Sequence, residues 1–135
     1  MIPVRQTIMY QHEPRVYGDC MRASIASILE LPIEEVPHFL QLAEGRVYEF
    51  YDLIEDFLMT KGYLVLWQRS IAYHWQPGDP SVYHLMSGPS PRHPGVHHSV
   101  VGRNGVPYFD PHPDGTMLAG EPNQWTCSFI LKAMP

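Results

Sequence analysis

The apolar positions of the chain change period near its middle. Between 20 and 31, Ala23, Ile25, Ala26, Ile28, Leu29 and Leu31 recur at helical spacing, which predicts a helix that starts near Asp19-Cys20 and is stopped by Pro32. Small residues hold one face of it, as in a helix packed closely on several sides. A short turn is expected at Ile33-Glu34-Glu35-Val36. Over 46–61, Val47, Phe50, Tyr51, Leu53, Ile54, Phe57 and Leu58 repeat at three and four, and Gly62 stands where a C-terminal cap belongs. Beyond Gly62 the apolar runs shorten. Residues 63–67, 82–86, 98–102, 106–110 and 125–131 read as strands. Residues 1–18 read as extended or looped, 74–80 as loop, and 87–95, with three prolines, as a rigid connector without helix or strand character.

Helices first and antiparallel strands afterwards predict an α+β fold. Asn104-Gly105 between two apolar runs marks a hairpin, and its loop length decides which residues face each other. A two-residue turn pairs 103 with 106, sets 98 against 111, and puts His98 and Asp110 on opposite faces. A three-residue loop pairs 102 with 106 and sets 98 directly against 110. Gly105 suits the left-handed last position of the longer loop, so the three-residue loop is expected.

The length of 135 residues supports a single domain, 1–135, with one core. Hydrophobic residues at 44% and charged residues at 17% indicate a globular chain rather than a disordered one. A net charge of −5 argues against nucleic-acid binding through a basic face. No apolar run approaches the roughly 18–20 residues of a membrane span. The first residues lack the charged-then-apolar pattern of a signal peptide. The expectation is a soluble, cytoplasmic protein with no membrane partner, whose cysteines are free thiols. The sequence carries no signal of oligomeric state. Two cysteines make no disulfide framework, whereas eight histidines leave room for acid–base or metal chemistry.

Three residues combine into a reactive set: Cys20 at a helix start, His98 opening a strand, and Asp110 ending the partner strand. The nucleophile is the thiolate, and a free thiol with a pKa of about 8.5 is mostly protonated at neutral pH. Unpaired N–H groups and the positive end of the dipole at a helix N-terminus favour the thiolate. A neighbouring imidazolium favours it further and can protonate a leaving group, while a carboxylate fixes the ring. Asp19, next to the thiol, would oppose this unless it points away or caps the helix.

The motifs Tyr17-Gly18-Asp19-Cys20-Met21-Arg22-Ala23, His98-Ser99-Val100-Val101 and Tyr108-Phe109-Asp110-Pro111 resemble the papain-like cysteine peptidase superfamily. They are most similar to its small bacterial and phage members and to the bacteriocin-leader peptidases. The resemblance implies a helix carrying the cysteine, packed on an antiparallel sheet carrying the histidine and aspartate. It implies a thiol hydrolase that cleaves a peptide or isopeptide bond in a peptide or protein substrate and needs no cofactor. Thioester cleavage or acyl transfer would use the same parts. In that family a glutamine some five or six residues before the cysteine completes the oxyanion hole with the cysteine N–H. Here that stretch holds Pro14 and Arg15, so Gln11, nine residues before Cys20, is the candidate, with Tyr17 as a substitute donor. Ser87, Gly88 and Arg92 in the stretch before His98, with His97 beside it, are candidate substrate-binding residues.

Two other readings remain. One is a non-catalytic domain of the same fold that uses its groove for a peptide or protein partner. The other is a metal protein built on His93, His97, His98, Asp110, His112 and Asp114, although neither Cys-x-x-Cys nor His-Glu-x-x-His occurs. His112 and Asp114 are also fallback partners for the reactive set. Cys127 reads as core, and His12, His38, His74 and His84 as satisfied or exposed.

Overall fold

The computed structural model describes residues 1–67 and 75–134. His74 and the start of the loop expected over 74–80 lie outside the described residues. Helix α1 spans Cys20–Leu29, α2 Phe39–Leu42 and α3 Val47–Thr60. Strand β1 spans Tyr63–Trp67, β2 Tyr83–Pro89, β3 His97–Arg103, β4 Val106–Phe109 and β5 Thr126–Lys132. One-turn 3₁₀ helices lie at Ile33–Glu35 and Pro122–Gln124. The strands form one five-stranded sheet in the order β1-β5-β2-β3-β4, antiparallel throughout. The fold class is α+β, as expected. No helix of the described residues is long and apolar enough to cross a membrane.

Helix α1 packs on β3 and β2, while α3 packs on β1 and α2. Ile25, Ala26, Val36, Phe39, Ile54, Leu58 and Leu85 fill the space between helices and sheet. Met86, Val100 and Cys127, on three neighbouring strands, form a second cluster covered by Met117, Leu118 and Trp125 from the segment between β4 and β5. Both faces of β2 and β3 are therefore buried, and β3 shows five consecutive buried positions instead of an alternation.

Two expectations need correction. The connector expected over 87–95 begins as strand, because Ser87, Gly88 and Pro89 pair with Ser99, His98 and His97. Gly88 fits there since a Cβ would meet the Trp125 ring. The short helix α2 was not anticipated; one turn is too brief to display a period. It is capped by His38, whose Nδ1 accepts from Gln41 N–H at 3.5 Å.

The hairpin also differs from the expected loop. Arg103 pairs with Val106, so the turn holds two residues, Asn104 and Gly105, both at positive φ (48° and 80°) as a primed turn requires. Gly102 pairs with Pro107, but Val101 pairs with Phe109, so Tyr108 is an extra residue in β4. This β-bulge sits beside Pro107, which has no N–H to give the ladder. It shifts the register by one residue, and Asp110 then falls opposite Val100 and on the face of His98. His98 and Asp110 are diagonal neighbours, not directly opposed. The short turn plus the bulge achieves the shared face that the longer loop was expected to provide.

Candidate functional site

The site is assembled from three pieces of chain: the start of α1, the start of β3 with the end of β4, and an N-terminal strap over residues 5–8. Cys20 is the first residue of α1, so its thiol sits over the N–H groups that the first turn leaves without intrahelical acceptors. Ser99 N–H points at Cys20 Sγ from β3, at 3.4 Å. The His98 ring lies within hydrogen-bonding reach of the thiol. On its far side, His98 Nε2 is 2.7 Å from Asp110 Oδ1, which leaves Nδ1 for the sulfur.

Asp110 is fully engaged. Oδ1 also accepts His112 N–H at 2.9 Å, and Oδ2 accepts Met117 N–H at 2.8 Å. Arg5 Nη1 donates to the Asp110 carbonyl at 2.8 Å and to the His112 carbonyl at 3.2 Å, with its guanidinium over the Phe109 ring. These contacts hold the carboxylate where a loop residue beyond β4 would otherwise move.

The electrostatics follow from these contacts. Burial alone would raise the Cys20 thiol. The hydrogen bond and charge of His98, with the N–H groups of Ser99 and Met21, outweigh it and bring the pKa below the ordinary 9.0. Burial would lower the His98 imidazolium, but the bonds and charges of Asp110 and Cys20 raise it from 6.5 to about 9. Burial works against the Asp110 carboxylate too, yet the His98 bond and the His112 and Met117 N–H groups hold it below the usual carboxylate range. Each partner stabilises the charged form of its neighbour.

Asp19 does not cap α1 and does not oppose the thiolate through a turned-in carboxylate. It is buried, with Oδ1 accepting Thr7 and Ile8 N–H at 3.0 and 2.9 Å and Oδ2 accepting the Thr7 hydroxyl at 2.8 Å. Arg22 Nη1 lies 3.4 Å from Oδ2. Asp19 thus pins the strap to the start of α1, while Gln6 N–H to the Pro111 carbonyl, at 3.1 Å, pins it to the Asp110 loop.

The strap carries the residue that sequence reasoning missed. Gln6 is buried and lines the cleft with Cys20 and His98. One Nε2 hydrogen goes to the Ile8 carbonyl at 2.9 Å, and the second remains for another acceptor. Its Oε1 is buried without a partner. Gln11, the expected residue, is exposed and donates to the Glu13 carbonyl at 3.1 Å, away from the cleft. Tyr17 is no substitute either, because its hydroxyl donates to the Glu44 carbonyl at 3.4 Å. The reason is an inserted hairpin: Gln11 and Val16 exchange two backbone hydrogen bonds, at 2.9 and 3.0 Å, and loop out the chain between the strap and α1. Gln6 therefore lies fourteen residues before Cys20. A Gln followed by a turn-rich insertion before the cysteine is the only trace of this in the sequence.

Among the candidate substrate-binding residues, Arg92 and His97 line the cleft. Arg92 Nη1 is fixed by Asp114, at 2.9 and 3.1 Å, and by Thr116. Ser87 and Gly88 do not line it: the Ser87 hydroxyl pairs with that of Ser99 at 2.9 Å, and Gly88 packs beneath Trp125. His112 contributes its backbone to Asp110, and Asp114 serves Arg92, so neither replaces a member of the set. Cys127 is fully buried, and burial pushes its thiol up to about 11. His84 is buried as well and accepts Gly105 N–H at 2.9 Å, buttressing the hairpin turn. Among the described residues, no group of three or more His, Cys, Asp or Glu side chains is arranged to hold a metal ion.

No family model matches the chain, and no curated protein or solved structure matches it.

Proposed function

We propose that the protein is a papain-like thiol hydrolase that cleaves a peptide or isopeptide bond through Cys20, His98 and Asp110. The observation that carries this reading is the chain of contacts from the helix-start thiol through His98 to Asp110, with the 2.7 Å bond at its end. In this reading the Cys20 thiolate attacks the acyl carbon. The Cys20 N–H and the free Gln6 N–H bind the oxyanion. His98 gives its proton to the leaving amine and then takes one from the water that hydrolyses the thioester, while Asp110 keeps the ring oriented. The cleft above the thiol has a volume of about 80 Å³, small beside the roughly 300–1,000 Å³ of ordinary ligand pockets. That favours an extended peptide or protein segment over a bulky small molecule. The expected setting is a reducing, cytoplasmic one, in which the thiol stays free.

The test is labelling with an acyl-directed, activity-based probe beside Cys20→Ala and His98→Ala. Labelling should map to Cys20, vanish in the first variant and fall at least 100-fold in the second. Labelling that survives both substitutions overturns the assignment.

A further inference from the structure

Two rings that the proposed chemistry does not use meet at the cleft. Tyr10 belongs to the segment between the strap and α1, and His93 to the loop between β2 and β3. Both line the cleft that contains Cys20. Their ring centroids are 4.9 Å apart with planes at 61°, an edge-to-face contact.

Each ring stands on a braced piece of backbone. Tyr10 is followed by the hairpin closed by Gln11 and Val16, and its hydroxyl is 3.2 Å from His12 Nδ1. Its backbone lies so close to Gly18 that a Cβ there would press on Tyr10 N, at 3.0 Å. The His93 loop is closed by Ser90 N–H to the Val96 carbonyl, at 2.8 Å, and the Ser90 hydroxyl accepts the N–H groups of Arg92 and His93 at 3.1 and 3.2 Å. The insertion that separates Gln6 from Cys20 therefore builds a wall that reaches the opposite loop of the cleft.

We infer that the Tyr10–His93 contact is a steric gate that sets the size of the acyl group reaching Cys20, so that both residues determine specificity. The inference deepens the hydrolase reading and rests on it: an acyl chain that reaches the thiol past the two rings is held to a narrow cross-section. Neither ring touches the reacting atoms. Each acts by limiting the cross-section of what enters.

Thiol-reagent size tests this without turnover. Second-order rates of Cys20 modification, mapped by peptide mass, are measured with iodoacetamide and with N-(1-pyrenyl)maleimide, each normalised to glutathione. Wild type should show a bulky-to-small ratio at least tenfold below that of glutathione. Tyr10→Ala and His93→Ala should each raise that ratio at least tenfold with the iodoacetamide rate unchanged within twofold. Tyr10→Phe, which keeps the ring, should leave it as in wild type. A wild-type ratio equal to that of glutathione overturns the gate, as does a depressed ratio that neither alanine variant relieves. The unchanged iodoacetamide rate reports that each variant is folded around the thiol, and the two substitutions approach the contact from separate loops. Failure of the hydrolase reading looks different: ordinary iodoacetamide reactivity of Cys20 at pH 6 and no labelling by the acyl probe, whatever the reagent size.

Discussion

His98 and Asp110 meet at 2.7 Å because Tyr108 is bulged out of β4. Without that extra residue the two-residue turn at Asn104-Gly105 would carry Asp110 to the other face of the sheet. Asp110→Asn keeps the shape of the carboxylate but removes the charge that holds the imidazolium. Turnover of a fluorogenic acyl substrate should fall by about 10²–10⁴, the usual scale for losing oriented acid–base catalysis. Turnover within threefold of wild type would exclude an orienting role for Asp110.

The thiol–imidazole pair makes a pH prediction. His98 lowers the Cys20 thiol from its ordinary 9.0, and Asp110 and Cys20 raise His98 to about 9, so both shifts favour a thiolate–imidazolium pair. The rate of alkylation by iodoacetamide at pH 6 should exceed that of a free thiol at least tenfold, and His98→Ala should abolish the excess. The same shift affects stability. A histidine with a pKa near 6.5 when unfolded and about 9 when folded contributes fully below about 6.5 and loses its contribution as pH rises through about 9. The Tm difference between wild type and His98→Gln should therefore be largest near pH 6 and shrink by pH 10.

In the proposed mechanism Gln6 binds the oxyanion but takes no part in forming the thiolate. Gln6→Ala should lower turnover of the acyl substrate by about 10²–10³, the measured scale for one oxyanion donor elsewhere. Alkylation by iodoacetamide forms no oxyanion and should stay within threefold of wild type. Gln11→Ala, on the outer hairpin, should change neither rate. A loss of turnover in Gln11→Ala equal to that in Gln6→Ala would return the oxyanion role to the outer residue.

Asp19 should behave as the anchor of the strap. Asp19→Ala leaves the part-buried N–H groups of Thr7 and Ile8 without their acceptor, each costing at most about 1–3 kcal/mol, the scale of a fully buried unpaired donor. Denaturant unfolding should show a loss of that order, and turnover should fall with it because Gln6 loses its position. Asp19→Asn retains an acceptor oxygen for both N–H groups and should recover most of the stability.

The hairpin register can be disturbed from behind. A Cβ at Gly102 would run into the His84 ring and the Met86 side chain, next to the bulge. Gly102→Ala should cost about 1–3 kcal/mol, as overpacking does, and reduce Cys20 alkylation at pH 6 by displacing His98 from Asp110. Wild-type stability together with wild-type alkylation would show that the register does not depend on this packing.

The sequence by itself determined the elements with a strong period or punctuation. The apolar spacing of Val47, Phe50, Ile54 and Leu58 marked α3, Pro32 and Gly62 bounded the helices, and Asn104-Gly105 marked the hairpin. It also marked Cys20, His98 and Asp110, because a helix start and two strand ends are local features. Tertiary structure decided the rest. The register of β3 and β4 was not legible, since both faces of β3 are buried and no alternation distinguishes them; packing and the missing N–H of Pro107 placed the bulge at Tyr108. Gln6 was hidden because its place depends on a buried carboxylate, Asp19, folding an insertion out of the way. Chain distance said nothing about that, because hydrogen bonds between segments far apart in sequence, not local propensity, bring Gln6 to the thiol.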